Sequence, residues 1–408
     1  MTSGPLPAGP LEGVRIIDLT QMLSGPFCTM LLTDLGADVV KVEPIDGDPV
    51  RTNAYAPGDT VRSFGGYFQS INRGKKSIAL NLKSEEGRRA LERLTANADV
   101  LVENFKVGVM DRFGLSYEHL HAANPRLVYA CIRGFGDPRT GESPYAQWPA
   151  FDVVAQAMGG LMSMTGPGPG QPMKAGVSVG DIIPGMIAAL GIVAAVRHAE
   201  RTGQGQFVDV AMYDAIFAAC EQLVYRYSYM GEVTEPSGNG HPFLCPFDAF
   251  PTNDGWVTIA APLDHMWHKL AMLMGRDDLA GDADLVKAAG RVRHAERVRA
   301  AVSEWTSVRS KAEVVAVLGG RVPCGPVNTV TDIFADEHIR RRGMIAEVEH
   351  PGLDRMVSVA GSPIKMTETP PAVRGRAPLL GEQTEDILMS AGYTPAEIAA
   401  MRARGDVR

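Results

Sequence analysis

One acidic side chain at the start of a long apolar stretch is the residue best placed to do chemistry in this sequence. Asp181 lies between small residues and the run 184–196, whose dense apolar positions predict a helix buried on most sides. Pro184 suits the first helical turn, so Asp181 is predicted at or just before the helix start. There the helix dipole and free N–H groups are expected to lower the pKa of the carboxyl. An ordinary N-cap explains the same position, and both interpretations stay open.

A serine motif overlaps this acidic position. Gly176, Ser178 and Gly180 fit the G-x-S-x-G pattern of serine hydrolases, in which a strand leads directly into the nucleophile and a helix follows it. Here the preceding run, 166–172, is rich in glycine and proline and is predicted to be a turn. Ser178 is therefore retained as a weaker alternative nucleophile, with His265 or His350 as its base.

Composition and charge limit the classes of function. The chain has 408 residues, 45% of them hydrophobic and 21% charged, which allows two domains with separate cores. A net charge of −7 argues against non-specific nucleic-acid binding. The five cysteines are scattered, with no C-x-x-C pair, which predicts a reducing cytoplasm and no zinc site. With no signal peptide and no uncharged run of membrane-spanning length, we expect a soluble protein without membrane partners.

Short apolar strands alternate with helices along the first part of the chain. The predicted strands are residues 14–19, 38–43, 77–82, 99–105 and 127–132, with a further strand at 207–211. Such alternation is typical of parallel sheets with right-handed crossovers, so we predict an α/β fold with a Rossmann-like large domain. No G-x-G-x-x-G follows the first strand, and the P-loop-like run at 74–77 leads into a strand. A nicotinamide dehydrogenase and an NTPase are thus disfavoured.

The pattern changes after the helix predicted for residues 213–230. A hairpin turning at Asn253-Asp254-Gly255 and several helices predict a smaller α+β domain at 232–327. Residues 1–231 are assigned to the large domain. Residues 328–408 are assigned to a linker and a C-terminal part, whose extended segment 376–382 is predicted to return to the large domain.

Several runs together resemble the family III CoA-transferases, which include formyl-CoA:oxalate and carnitine CoA-transferases. They follow the family's order along almost the whole chain, although each run alone is weak. The runs are LGADVVKVE (35–43), NRGKKSI (72–78), VENF (102–105), VAQ (154–156), GD (180–181), RTGQGQ (201–206), PCGPV (323–327) and APLLGE (377–382).

This resemblance implies a role for Asp181 as the nucleophile. The carboxylate would attack the donor thioester to give a mixed anhydride and free CoA thiolate. The thiolate would then form an aspartyl–CoA thioester and release the donor acid, and the acceptor acid would reverse the sequence. Gly180 is expected to offer its N–H to a developing oxyanion, and Asp152 to support the catalytic carboxylate, although an N-cap role for Asp152 is equally open.

The resemblance also implies which residues bind coenzyme A, which is expected as a substrate rather than as a permanently bound cofactor. Basic side chains suit its phosphates, and the backbone near the VENF run suits the pantetheine amides. The matched positions are Asn72, Arg73, Lys75, Asn104, Phe105 and Arg112. Without the resemblance, Lys75 and Arg112 would be read as solvated surface charges.

Two departures separate this chain from the formyl-CoA enzyme. Leu23 stands in place of a glutamine, and Pro44 in place of an arginine, so oxalate or formyl specificity is not carried over. The α-methylacyl-CoA racemases of the same family are the nearest alternative. They use a histidine before the position of Asp152, where this chain has Phe151, and a phenyl ring cannot transfer protons.

The substrate acids are expected to be small and dicarboxylic, with succinyl-CoA as donor. A free carboxylate at the acyl end needs a cation, and Arg51 and Arg62 are the candidates after the second strand, although both can be solvated loop charges. The resemblance further implies an interlocked homodimer.

Overall fold

A computed structural model describes residues 8–408, which form two compact units. The first unit contains the described part of Met1–Leu161 together with Ala175–Gln222 and Glu337–Arg408, and the second contains Met162–Lys174 and Leu223–Asp336. The predicted limits at 231/232 and 327/328 lie nine residues from the unit boundaries at 222/223 and 336/337. The segment 162–174, which the sequence analysis assigned to the large domain, belongs to the second unit.

A six-stranded parallel sheet forms the centre of the first unit, in the order β3-β2-β1-β4-β5-β6. All neighbouring strands are parallel, which confirms the predicted α/β class. The order reverses between β1 and β4, and ligands of such sheets bind beside the carboxyl ends of the strands at this switch point. The strands are β1 (Arg15–Asp18), β2 (Asp38–Glu43), β3 (Lys76–Ala79), β4 (Val100–Glu103), β5 (Val128–Arg133) and β6 (Phe207–Ala211).

The remaining strands form two small antiparallel sheets. The second unit has β7 (Phe247–Thr252), β8 (Gly255–Ala260) and β9 (Cys324–Pro326). The pairing of Thr252 with Gly255 places Asn253 and Asp254 in the turn, which confirms the predicted hairpin. The C-terminal part of the first unit contains β10 (Ile345–Val348) and β11 (Val357–Ala360).

Both units also contain helices. A 3₁₀ helix at Pro49–Thr52 lies between β2 and α2. In chain order the α-helices are α1 (Ser24–Asp34), α2 (Gly66–Asn72), α3 (Glu85–Thr95), α4 (Val109–Arg112), α5 (Tyr117–Ala123), α6 (Asp152–Met158), α7 (Leu161–Met164), α8 (Val179–Thr202), α9 (Met212–Ala219), α10 (Glu221–Met230), α11 (Asp264–Leu273), α12 (Asp277–Ala280), α13 (Ala288–Arg293), α14 (Ala295–Ser307), α15 (Lys311–Leu318), α16 (Val330–Ala335), α17 (Glu337–Arg341), α18 (Thr384–Ser390) and α19 (Pro395–Arg404). The single helix predicted for 213–230 is thus two helices, separated at Cys220.

Helix α8 differs from its prediction in two respects. It begins at Val179, so Asp181 lies inside the first turn, and Pro184 lies in the helix interior instead of the first turn. Because proline has no N–H, the Gly180 carbonyl four residues earlier has no donor from this position. The helix packs against β5, β6, α1 and α9 on one side, but the opposite side is open, with Leu190 70% exposed.

The length and composition of α8 would also allow it to cross a membrane, with a mean hydropathy of 2.1 in its most apolar window. The core helix of a soluble protein passes the same test, and the buried positions of α8 pack on the parallel sheet. This feature is therefore weak evidence for a membrane span.

The C-terminal segment 376–382 lies against the N-terminal part of the first unit. Ala377 is fully buried, and its N–H donates to the Gln69 side chain at 2.7 Å. Gly74 donates its N–H to the Arg376 carbonyl. The first unit is therefore built from N-terminal and C-terminal segments of the chain.

A buried ion-pair network joins Asp18, at the carboxyl end of β1, to Lys75, which directly precedes β3. The Lys75 ammonium donates to Asp18, Asn72 and the Pro26 carbonyl, at 2.8–3.0 Å. Burial opposes the charge of Asp18, but Lys75 and its other partners hold the pKa of the Asp18 carboxyl below its ordinary value. Burial also lowers the pKa of Lys75 to about 8, against the attraction of Asp18. Removing one member would leave an uncompensated buried charge.

Adjacent lysines give a matched test of this network. We expect Lys75→Met to lower the free energy of unfolding by about 3–5 kcal/mol, because it leaves Asp18 buried without its main partner. Lys76→Met removes an exposed ion pair with Asp38, which costs less than about 1 kcal/mol. Urea unfolding at pH 7 measures both. Equal midpoints for the two variants would contradict a structural role for Lys75.

Candidate active site

A cleft of about 420 Å³ at the switch point of the sheet brings together three of the predicted site residues, Asp181, Asn104 and Phe105. The loop after β1 and the loop after β4 form one wall, and the segment before α6 forms another. The lining residues are Gln21, Met22, Ser24, Asn104, Phe105, Lys106, Val107, Ile132, Arg133, Gly134, Ala146, Trp148, Pro149, Ala150, Phe151, Asp181 and Met212.

The Asp181 carboxyl has an unusual protonation equilibrium. Burial, and then the negative charge of Asp152, raise the pKa of Asp181 from its ordinary value of 3.8 to about 6. The prediction that the helix dipole lowers this pKa is therefore wrong. The helix start does favour a carboxylate, but the loss of solvation and the second carboxylate outweigh it.

Asp152 fixes the helix turn that carries Asp181. Its Oδ1 accepts the Gly180 N–H at 2.8 Å, so it caps α8 from a different helix. The Gln156 amide donates to both Asp152 oxygens, and the Gln156 carbonyl oxygen accepts the Ala175 N–H. Asp152 therefore both holds the backbone next to Asp181 and raises the pKa of its carboxyl.

Gly180 has a different role from the predicted one. Its N–H is bound to Asp152, so it is not free to hold an oxyanion. The residue at position 180 must instead be small, because a Cβ there would lie 2.4 Å from the Asp152 carbonyl oxygen. The glycine allows α6 and α8 to approach closely enough for the Asp152 contact.

Asn104 and Phe105 shape the cleft through the backbone. The Asn104 side chain accepts the Gln21 N–H at 2.9 Å and donates to the Gln21 carbonyl at 2.8 Å, which joins the loops after β1 and β4. The Phe105 N–H donates to Glu103. The predicted contacts of both residues with coenzyme A remain predictions, but the Asn104 side chain already has a structural function.

Three other predicted coenzyme A residues are buried within the protein. Lys75 is engaged by Asp18 and Asn72, and the Asn72 amide also donates to the Phe68 carbonyl. Arg73 forms a buried ion pair with Asp34. The side chains of Asn72, Arg73 and Lys75 are therefore held by partners inside the protein, and their predicted contacts with coenzyme A remain predictions. The sequence alone does not reveal these internal partners.

The remaining basic candidates divide between core and surface. Arg51 binds Glu43 with two hydrogen bonds of 2.6 and 2.7 Å and lies over the Phe68 ring, so it is a core ion pair and not a substrate cation. Arg62 is exposed and stacks on Tyr55 outside the Asp181 cleft. Arg112 is exposed on α4, and its proposed contact with a phosphate remains a prediction.

The serine alternative lacks the required geometry. No strand precedes Ser178 within residues 134–178, where a nucleophile elbow needs one. Of the two suggested bases, His350 is buried on Asp59 at 2.9 Å, and His265 lies on α11 of the second unit. We therefore reject the elbow at Ser178.

A second cleft, of about 480 Å³, lies at the carboxyl ends of β1, β2 and β3. It shares Gln21 and Phe105 with the Asp181 cleft, so the two clefts adjoin across the loops joined by Asn104. Its other lining residues are Leu19, Val42, Glu43, Pro44, Ile45, Asp46, Leu80, Asn81, Leu82, Lys83, Phe113 and Gly405.

Two residues near the carboxylates, Gln156 and Tyr67, were not predicted from the sequence. Gln156 lay within a matched run but had no assigned role, although its buried amide orients Asp152. Burial, and then the charges of Asp181, Asp48 and Asp152, raise the pKa of Tyr67. The one sequence signal for the hydrogen bonds between Gln156 and Asp152 is their spacing of four residues, which is one helical turn.

The fold and the site define an α/β enzyme with a half-buried carboxylate beside the ligand-binding edge of its sheet. Residues 11–384 match the model of CoA-transferase family III, and the chain belongs to that family. It is 50% identical to the succinyl-CoA:mesaconate CoA-transferase of Haloarcula marismortui, over 94% of this chain and 97% of that protein. It is 37% identical to the succinate–glutarate CoA-transferase of Agrobacterium fabrum, over 95% and 97%.

A solved structure agrees with this membership. The crystal structure of a CAIB/BAIF family protein from Brucella suis is similar to this chain with a TM-score of 0.84 and 35% identity, over 94% of this chain and all of that one. The protein is accordingly a CoA-transferase, and acyl-CoA esters are the substrates of its family.

The raised pKa predicts that Asp181 destabilises the fold at neutral pH. Between pH 3.8 and about 6 the folded state binds more protons than the unfolded state, so stability falls as the pH rises through that window and stays lower above it. Asp181→Asn removes the charge. We expect it to raise the free energy of unfolding by about 1–3 kcal/mol at pH 7.5, with no gain below about pH 4.

Urea unfolding at pH 7.5 and pH 4 measures this difference. Glu200→Gln, an exposed substitution at the other end of α8, is the control and should change stability by less than about 0.5 kcal/mol. An Asn variant less stable than the wild type at pH 7.5 would show that the Asp181 charge is stabilised, contrary to its raised pKa.

Proposed function

We propose that this enzyme transfers CoA from succinyl-CoA to a small dicarboxylic acid through covalent intermediates on Asp181. The observation that carries the proposal is the half-buried Asp181 carboxyl, with a pKa of about 6, in the cleft at the sheet's switch point. At pH 7 this group is mostly ionised, yet it is poorly solvated. A poorly solvated carboxylate loses little hydration when it attacks a carbonyl carbon.

The proposed steps conserve all atoms and need no oxidant. An Asp181 oxygen adds to the thioester carbonyl, and the carbon–sulfur bond breaks to give a mixed anhydride and CoA thiolate. The thiolate attacks the Asp181 carbonyl and releases succinate, leaving an aspartyl–CoA thioester. The acceptor carboxylate then displaces CoA to form a second anhydride, and CoA attacks the acyl carbonyl of that anhydride to release the new thioester and free Asp181.

The adjoining clefts support a placement for CoA. The cleft at the ends of β1, β2 and β3 lies where nucleotides bind in Rossmann-like sheets, and we propose that it takes the adenosine part. Pantetheine would then pass Gln21 and Phe105, which line both clefts, and bring the thiol to Asp181.

The substrate class rests on the relatives and on one free cation. Their names specify mesaconate, succinate and glutarate, all small dicarboxylic acids. With Arg51 inside a core ion pair, the cations lining the Asp181 cleft are Lys106 and Arg133, and Arg133 is paired with Glu103 and Asp137. Exposed Lys106 has no ionic partner among residues 8–408, so we propose that it meets the second carboxylate.

The racemase alternative has less support. Proton transfer at an α-carbon needs two bases, and Phe151, 63% exposed beside Asp152, lines the cleft where the second base would be required. A phenyl ring has no proton to exchange. Transfer between acids requires only the one carboxylate that the cleft contains.

We also propose that the enzyme works as an interlocked homodimer in the cytoplasm. The open side of α8 carries Met186, Ile187 and Leu190, all exposed, an apolar surface that a second copy could cover. The five cysteines are free thiols, in agreement with a reducing compartment. A stable monomer at micromolar concentration in light scattering would contradict the dimer.

Loss of one carboxylate should abolish the reaction. We expect Asp181→Ala to reduce CoA transfer from succinyl-CoA at least about 1,000-fold with the fold intact, because the covalent route is lost. Ser178→Ala, three residues earlier on the same turn, should keep most of the activity. Mass detection of new CoA esters, with a panel of mono- and dicarboxylic acids, measures both the rate and the acceptor class.

Three results would count against the proposal. A Ser178→Ala variant without activity would restore the hydrolase alternative. More than about a tenth of the rate in Asp181→Ala would remove the nucleophile assignment. Better transfer to monocarboxylic acids than to dicarboxylic acids would leave the mechanism standing but contradict the substrate class.

A further inference from the structure

The start of α1 faces the cleft that contains Asp181. Helix α1 begins at Ser24 directly after the loop that follows β1, and Ser24 lines the same cleft as Asp181. A Cβ on Gly185 of α8 would lie 2.6 Å from the Ser24 carbonyl oxygen, so the two helices touch at this point. Asp181 is one turn before Gly185 on the same face of α8, which directs it toward the start of α1.

This helix start carries unused hydrogen-bond donors. The residue before it, Leu23, makes no side-chain cap. No backbone acceptor within residues 8–408 takes the N–H of Ser24 or Gly25, and Pro26 has none. A Cβ on Gly25 would lie 2.2 Å from Thr20, so only glycine fits here. Of these residues, Ser24 lines the cleft, so the positive end of the helix dipole meets the cleft at Ser24.

The Ser24 side chain is a second, independent sign of a ligand. Ser24 is only 5% exposed, and its hydroxyl makes no hydrogen bond within the described part of the chain. The Ser24 oxygen is not one of the enclosed side-chain atoms without a partner, so the hydroxyl stays accessible and free to donate to a ligand. Its place in the cleft wall indicates that a substrate atom is the partner.

We infer that the Ser24 hydroxyl, with the backbone N–H group of Ser24, binds the carbonyl oxygen of the acyl group while Asp181 and CoA exchange it. This inference rests on the proposed function. When a nucleophile adds, the carbonyl oxygen becomes negative, and it returns to a carbonyl when the leaving group departs. Ser24 keeps its proton and donates a hydrogen bond. Because Gly180 has its N–H bound to Asp152, α1 supplies the donors that were predicted at α8.

Two variants of Ser24 separate this role from packing. Ser24→Ala removes the hydroxyl, and Ser24→Cys nearly retains the volume but replaces a strong donor by a weak one. We expect both to lower kcat about 100-fold, since one oxyanion donor commonly contributes that much. Neither should change the melting temperature appreciably, because the hydroxyl has no protein partner to lose.

A substrate analogue locates the contact. S-(3-carboxypropyl)-CoA is the thioether that has a methylene in place of the thioester carbonyl of succinyl-CoA. If Ser24 acts on the carbonyl oxygen, the Kd of this thioether should change less than about twofold in Ser24→Ala, although kcat falls. A parallel loss of thioether affinity would overturn the inference and place the hydroxyl on another part of the ligand.

The test also distinguishes this inference from the proposed function. Single-turnover reactions with succinyl-CoA, followed by mass mapping, should show CoA on Asp181 in both wild type and Ser24→Ala, formed about 100-fold more slowly in the variant. If wild type and Ser24→Ala form the Asp181 adduct at equal rates, the role of Ser24 is overturned but the proposed function is not. A wild-type rate in Ser24→Cys but not in Ser24→Ala indicates packing and overturns it too. Absence of the label from wild-type Asp181 contradicts the proposed mechanism itself.

Discussion

The hydrogen bond from the Gly180 N–H to Asp152 is the contact on which the site depends. Through this bond, a carboxylate from α6 accepts one of the N–H groups at the start of α8 that have no partner within the helix. Only a glycine at position 180 allows α6 and α8 to come this close. Burial is the larger cause of the raised pKa of Asp181, one residue further along, and the negative charge of Asp152 adds to it. Asp152 thus both positions the turn and contributes to the protonation equilibrium of the group that the turn presents.

The features that make Asp181 reactive also lower the stability of the structure around it. Two carboxyl groups share a partly desolvated turn, and Pro184 removes a helical hydrogen bond from the same region. The surrounding contacts compensate. Asp152 is held by the buried Gln156 amide, and Gly185 packs α8 directly on the start of α1. Active sites are commonly less stable than the scaffold that carries them, and here the partly desolvated carboxyl groups and Pro184 are the causes.

The fold was largely predictable because its strands are short, apolar and separated by helices. The bounds of β2 and β6 were predicted to the residue, and the position of Asp181 at a helix start was close to correct. Side-chain partners were not predictable. Lys75 and Arg51 look like free cations in the sequence, and only the folded chain brings Asp18 and Glu43 to them. The prediction of a lowered pKa for Asp181 failed for the same reason, because burial depends on the tertiary structure.

The central claim, a covalent CoA adduct on Asp181, is tested most directly by trapping it. The enzyme is mixed with succinyl-CoA without an acceptor acid, treated with borohydride and digested for mass mapping. Reduction of an aspartyl thioester converts the side chain to the alcohol of homoserine, so we predict that mass change at residue 181 and at no other acidic residue. An unmodified Asp181 in an enzyme that is active under the same conditions, or a modification at Ser178, would contradict the account.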